Sequence, residues 1–190
     1  MRLCADGPWP AGTVTDRIFG WEGDITPAAQ SVPLRLAGGL HALHLQEHPT
    51  LSAAYPPLQV TDAVLWQAVC ATLVSDADHI HTWLDSAPQT NEVRRAVTLI
   101  PLGCLLAQRY GLPIRTSELG ASAGLNLHWD DYALDIGGET FGPDPPALTL
   151  RPDWNGPLPP KVRPQIISRA AIDLNPLDPD NPAHALRLQA

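Results

Sequence analysis

The run Ile114-Arg115-Thr116-Ser117-Glu118-Leu119-Gly120-Ala121-Ser122-Ala123-Gly124-Leu125-Asn126-Leu127 constrains the fold of this chain more than any other stretch. A short extended segment turns through small residues into an apolar one, so the pattern predicts strand, tight loop and helix start in succession. Gly120 and Gly124, with only alanine and serine between them, let the backbone turn sharply and let a ligand approach its amides. A strand ending in an acidic residue, then Gly-x-small-x-Gly, then a helix start is the layout by which α/β sheets bind nucleotides at their carboxyl edge. Glu118, Gly120, Ser122 and Gly124 occupy those positions.

The segment before the strand is helical in pattern. From Ser31, Leu36, Leu40 and Leu43 recur at three- and four-residue steps and predict a helix over about 32–46. Gly38-Gly39 costs that helix propensity, and its expected benefit is close approach of a neighbouring helix. Thr61-Asp62 offers a cap for a stripe of Trp66, Val69, Cys70, Leu73, Ala77, Ile80 and Leu84, read as one long helix over about 61–85. Val93, Ala96, Val97, Ile100, Cys104 and Ala107 form a third stripe, with Pro101 inside it and Gly111 as a left-handed terminator. A helix of about twenty residues spans roughly 30 Å, against about 20 Å for the six-residue strand that returns beside it. Its amino end therefore overhangs the glycine loop, which makes Gln89, Asn91 and Glu92 candidate substrate contacts.

Beyond the loop, Leu125 to about Asp131 reads as a short helix start. Tyr132-Ala133-Leu134-Asp135-Ile136 alternates like a strand, and Ala147-Leu148-Thr149-Leu150-Arg151 is its expected partner in a β-hairpin insertion. Residues 143–164 then hold eight of the 21 prolines, an extended connector too apolar to be a free linker and expected to pack along the surface. Ile166 to Ile172 reads as a buried strand with Asp173 at its carboxyl end, and a helix begins near Pro182. The predicted class is α/β, with a mainly helical region over 1–111 and a partial Rossmann-like sheet over 112–190.

Hydrophobic residues at 44%, charged residues at 17% and a net charge of −8 place the chain among globular proteins. A single lysine and no basic block argue against nucleic acid as a partner and leave a small-molecule ligand as the expectation. Cys4, Cys70 and Cys104 show no metal or disulfide spacing, and no apolar run reaches membrane-spanning length, so a cytoplasmic location is expected. His41, His44 and His48 share a helical face, but no carboxylate or cysteine ligand accompanies them at ligand spacing, and no metal site is expected. Asp76, Asp78, His79 and His81 point in different directions on a helix and read as a solvated face.

The loop looks like the first motif of class I S-adenosylmethionine-dependent methyltransferases, in which acid-x-Gly-x-Gly-x-Gly closes the first strand. Ser122 replaces the middle glycine here. The resemblance implies S-adenosylmethionine as cofactor, with Glu118 receiving its polar portion, Gly120, Ala121, Ser122, Ala123 and Gly124 lining it, and Asn126 at the helix start. Asp173 matches the residue that holds the ribose. Leu36-Ala37-Gly38-Gly39-Leu40-His41-Ala42-Leu43, Pro88-Gln89-Thr90-Asn91-Glu92-Val93, the run Glu118 to Leu127, and Asp173-Leu174-Asn175-Pro176-Leu177-Asp178 together resemble a bacterial family of unknown function, domain of unknown function 2332. Members of that family look longer, which implies a chain cut at its carboxyl end, with an unpaired apolar sheet edge and marginal stability.

The same loop satisfies Gly-x-Ser-x-Gly, the elbow that presents a serine nucleophile in α/β-hydrolases. That alternative needs a downstream acid and histidine, and only His128 and His184 follow. A non-catalytic binding module on a methyltransferase-like fold is the third reading. Trp129 is a stacking-wall candidate. Oligomeric state and methyl acceptor are not encoded in any motif.

Overall fold

The apolar stripes of the amino-terminal region form helices close to where their spacing puts them. The computed structural model describes residues 2–89 and 92–190. Its first helices are α1 (Arg2–Asp6), α2 (Thr13–Phe19), α3 (Val32–Leu45), α4 (Pro49–Ser52), α5 (Asp62–Ser75) and α6 (Ala77–Leu84). Leu36, Leu40 and Leu43 of α3 pack with Leu51, Trp66, Val69, Leu73, Ile80 and Leu84 into one core. Gly38 and Gly39 admit Trp83 of α6, since a Cβ on either would lie 3.1 Å from its side chain. The two glycines thus exchange helix propensity for close approach of helices.

The stripe from Trp66 to Leu84 forms two helices rather than the single one its periodicity predicts. Asp76 ends α5 and precedes α6 with φ −117° and ψ 34°. Its carboxylate accepts from Ser75 Oγ and pairs with His48 Nε2 at 3.1 Å. The break turns α6 so that His79 Nε2 meets Gly39 O at 3.1 Å and His81 Nε2 meets Thr13 Oγ1 at 3.0 Å. These histidines therefore join helices, where the spacing had predicted a solvated face.

The remaining elements are a 3-10 turn at Val93–Arg95, α7 (Ala96–Tyr110), β1 (Ile114–Leu119), a 3-10 segment at Leu125–Asp131, β2 (Tyr132–Ile136), β3 (Glu139–Phe141), β4 (Leu148–Leu150), β5 (Ile166–Ile172) and α8 (Pro182–Gln189). Gly111, at φ 62°, closes α7 as expected. Ala96, Ile100 and Cys104 of α7 pack against Trp129, Tyr132, Leu134, Ile136 and Phe141 in a second core. No Cβ could occupy position 103, because Trp129 Cη2 lies 2.2 Å from where it would sit. Among the described residues no helix is long and apolar enough to cross a membrane.

The strands form two small sheets. β1 pairs with β5 in parallel, Glu118 opposite Ala171 and Leu119 opposite Ile172. The second sheet has the order β3-β2-β4. The hairpin partner of β2 is β3, not the 147–151 run, whose Leu148–Leu150 pairs with β2 in parallel. Gly137 and Gly138, both at positive φ, make the tight turn that selects the nearer partner. β5 is paired but not buried, contrary to its apolar sequence. Ile167 is 49% and Ile172 65% exposed, because a sheet of two strands gives each strand one neighbour.

The chain divides into two compact units, Met1–Gln89 with Asp180–Ala190, and Thr90–Pro179. The expected boundary at 111 differs from this division at both ends. The apolar face of α7 is buried against Trp129 and β2, which assigns α7 to the sheet-bearing unit. α8, capped by Asn181 Oδ1 on the amides of Ala183 and His184, belongs with the helical one.

Candidate functional site

Parallel pairing brings the carboxyl ends of β1 and β5 to the same place, and the glycine loop is fastened there. The amides of Gly120 and Ala121 donate to Ile172 O at 2.8 and 3.3 Å. The amide of Ser122 donates to Asp173 Oδ2 at 2.7 Å, while Asp173 Oδ1 accepts from Asn175 N at 2.8 Å. Leu177 N closes the return with a 3.3 Å bond to Ser122 O. One carboxylate thus joins the loop after β1 to the loop after β5. Its two amide bonds hold the Asp173 carboxyl below the ordinary carboxylate range.

Residues 120, 122 and 124 all take positive φ, at 69°, 53° and 73°. Glycine suits two of these positions, whereas Ser122 adopts a left-handed conformation that costs a non-glycine residue about 1 kcal/mol or more. A Cβ at Gly120 would meet nothing within 4 Å, so this glycine answers to backbone conformation alone and the space beside it is open. Gly124 N donates to Ala121 O at 2.7 Å. The amides of 120, 121, 122 and 124 are therefore spent within the protein, which leaves that of Ala123.

Glu118, next to last in β1, lines a groove of about 610 Å³ with Arg95, Thr98, Ser117, Asn126 and Trp129, among others, and neither the 120–124 loop nor Asp173 belongs to that lining. Glu118 Oε2 is buried without a hydrogen bond. Burial pushes the carboxyl above its ordinary value, and the nearby Arg95 charge acts against that shift. Asn126 is 4% exposed on the 3-10 segment that forms one wall. Ser122 Oγ is a second buried side-chain oxygen without a hydrogen bond, in a residue 6% exposed. Leaving a buried polar atom unbonded costs about 1–3 kcal/mol, so one on β1 and one in the loop that follows it mark this end of the strand as a place for a polar ligand.

The chain matches, over residues 1–190, the family described as an uncharacterized protein conserved in bacteria. It belongs to the DUF2332 family. No curated protein and no solved structure matches it.

The structure of this DUF2332 chain thus brings Glu118, the 120–124 loop, Asn126 and Asp173 to one end of the parallel pair. Of the three candidates taken from helix connectivity, the two that the structure describes do not line this groove. Glu92 Oε1 accepts from Arg94 N at 2.9 Å and caps the 3-10 turn, and it does not line the groove. Gln89 belongs to the helical unit, where it lines a separate cavity. Asn91 lies outside the described residues. Trp129 is buried in the second core at 6% exposure and is among the residues that line the groove.

Arg95 and Thr98 were not singled out from the sequence. They stand one turn apart on the 3-10 and α7 stretch, and the groove they line with β1 exists only once α7 has docked. His41, His44 and His48 each have structural partners. His41 and His44 contact the Tyr55 ring, and His48 caps α4 while pairing with Asp76. Among the described residues no cluster of three metal-ligating side chains occurs.

Proposed function

We propose that the carboxyl end of the β1–β5 pair, a partial Rossmann-like edge, binds S-adenosylmethionine and that the chain takes part in methyl transfer. The observation that carries this reading is the convergence of Glu118, the left-handed glycine loop and Asp173 on one sheet end, where Glu118 also lines a groove of about 610 Å³. That volume lies within the range of small-ligand sites. The amides also favour this ligand over a dinucleotide. A pyrophosphate needs several free backbone N–H groups at a helix start, and four of the five here are already bonded. S-adenosylmethionine carries no phosphate, and its cationic amine and sulfonium suit a site with two carboxylates.

Methyl transfer asks the protein for in-line placement and exclusion of water more than for an acid or base. Glu118 would take the ammonium end of the cofactor, where an ion pair with Oε2 satisfies the buried oxygen. Asp173 holds the loop in shape with one lone pair on each oxygen and retains others for a ribose hydroxyl. Asn126 would line the cofactor from the 3-10 segment.

The serine hydrolase reading would need an imidazole on Ser122 Oγ. That hydroxyl makes no hydrogen bond, and His128 Nδ1 is engaged by Asp131 Oδ2 at 3.1 Å. Calorimetric titration with S-adenosylhomocysteine, with NAD as control, tests the proposal. The expected result is binding of the homocysteine analogue alone, weakened about tenfold or more by Glu118→Ala, the scale of a lost charge-assisted hydrogen bond. Absence of binding, or equal binding of NAD, would overturn it. Methyl-acceptor screening of a binding-competent chain then separates an enzyme from a binding module.

A further inference from the structure

The helical unit holds a second cavity of about 320 Å³, lined by Arg35, His41, Tyr55, Trp83, Gln89 and Arg187, among others. Three aromatic rings and two guanidinium groups meet there. Arg35 donates Nε to Gln30 O at 2.7 Å and Nη1 to Leu84 O at 2.9 Å, which fixes the plane of its guanidinium and, among the described residues, leaves Nη2 without a bond. Arg187, on α8, lies 4.9 Å over the Trp83 ring, and among the described residues it makes no hydrogen bond or ion pair.

Neither guanidinium is among the buried groups left without a partner, so water reaches the donors that face the cavity and a bound anion would take its place. Partial burial and the Arg35 charge hold Arg187 below its ordinary value. The chain carries 20 acidic residues against 12 basic ones, yet among the described residues no carboxylate pairs with either of these arginines. An anion in the cavity would satisfy both.

We propose that this cavity binds a small carboxylate with a flat aromatic body. The planar guanidinium fork matches a carboxylate through two parallel hydrogen bonds. Trp83 carries Arg187 and His79 on its ring and Tyr55 is stacked with His44, so these rings and His41 meet a planar body in the cavity through their remaining edges, as aromatic pairs also do. The volume, at the lower end of small-ligand sites, restricts the guest to about one or two rings. Gly38 is part of the construction, because a Cβ there would press on the Trp83 ring at 3.1 Å. The site is lined by residues of the helical unit alone, and the proposal does not rest on what the β1–β5 edge binds.

The test is calorimetric titration of the whole chain with benzoate, with benzamide as the uncharged ring of like shape and inorganic phosphate as the ringless anion. Benzoate binds, and benzamide and phosphate bind at least about tenfold more weakly, as loss of a charge-assisted contact or of the ring contacts requires. Arg187→Gln weakens benzoate by about tenfold or more. Arg187→Lys, which keeps the charge but loses the fork, weakens it as well and serves where Arg187→Gln fails to fold by circular dichroism. No binding of benzoate up to about 10 mM, equal affinity for benzamide, preference for phosphate, or unchanged affinity in both Arg187 variants would overturn the proposal.

Discussion

Replacement of Gly103 by alanine probes the contact on which the sheet-bearing unit is assembled. The added Cβ would lie 2.2 Å from Trp129 Cη2 and 2.6 Å from Cζ3, with Pro164 Cγ at 3.3 Å on another side. Carbon atoms pack at about 3.5–4.0 Å, so the indole or α7 must move by more than an ångström. Trp129 is 6% exposed and has little room to yield. Overpacking of this kind costs about 1–3 kcal/mol, while alanine in a helix interior recovers about 1 kcal/mol of propensity. A contact shorter than 2.5 Å against an aromatic ring puts the gross cost at the upper end, for a net loss of about 2 kcal/mol. For a chain of this length that corresponds to a fall of about 4–8 °C in melting temperature.

Urea or thermal unfolding followed by tryptophan fluorescence measures it. In a Trp129→Leu background, itself destabilised by loss of a buried indole, Gly103→Ala should cost much less than in the parent, because the atoms that clash are gone. Titration with S-adenosylhomocysteine on the single variant should weaken too, since Trp129 and Asn126 share one 3-10 segment. If Gly103→Ala is as stable as the parent, or gains the propensity increment of about 1 kcal/mol, then the Trp129 contact does not organise this unit.

Two further predictions concern the loop. Asp173→Ala removes the acceptor of the Ser122 and Asn175 amides, so both should lose hydrogen-exchange protection while α3 keeps its own, and equal protection of these amides in parent and variant would refute the clamp. Because the folded carboxyl is held below its ordinary value, its contribution is present above that value and fades as pH falls through the lowered one. Glu118 behaves oppositely. Burial raises its folded value, so its contribution is complete below the unfolded carboxylate value and is lost as pH rises through the raised one. Urea midpoints of Glu118→Gln should therefore decline less over that window than those of the parent, and parallel profiles would show that Oε2 is solvated.

The strand, the glycine loop and the acidic residues at both strand ends were legible in the sequence because each depends on local chemistry. A β-prone run, two glycines at the positive-φ positions 120 and 124, and Asp173 after an apolar segment need no distant partner to be recognised. Gly38-Gly39 was readable for the same reason, since glycine inside an apolar stripe implies a close neighbour, and Trp83 is that neighbour. What the sequence could not show was which distant groups meet. Periodicity runs unbroken through Asp76, and only the carboxylate's pairing with His48 and Ser75 goes with two helices there.

The 147–151 run is as strand-like as residues 139–141, yet the two-glycine turn brings the nearer segment antiparallel and leaves Leu148–Leu150 to pair in parallel. The groove beside Glu118 and the cavity between Arg35 and Arg187 join residues 23 and 152 positions apart, from Arg95 to Glu118 and from Arg35 to Arg187. Local propensities decide where elements begin and turn. Desolvation and packing decide which faces meet, and a binding site made of facing side chains comes into existence only at that step.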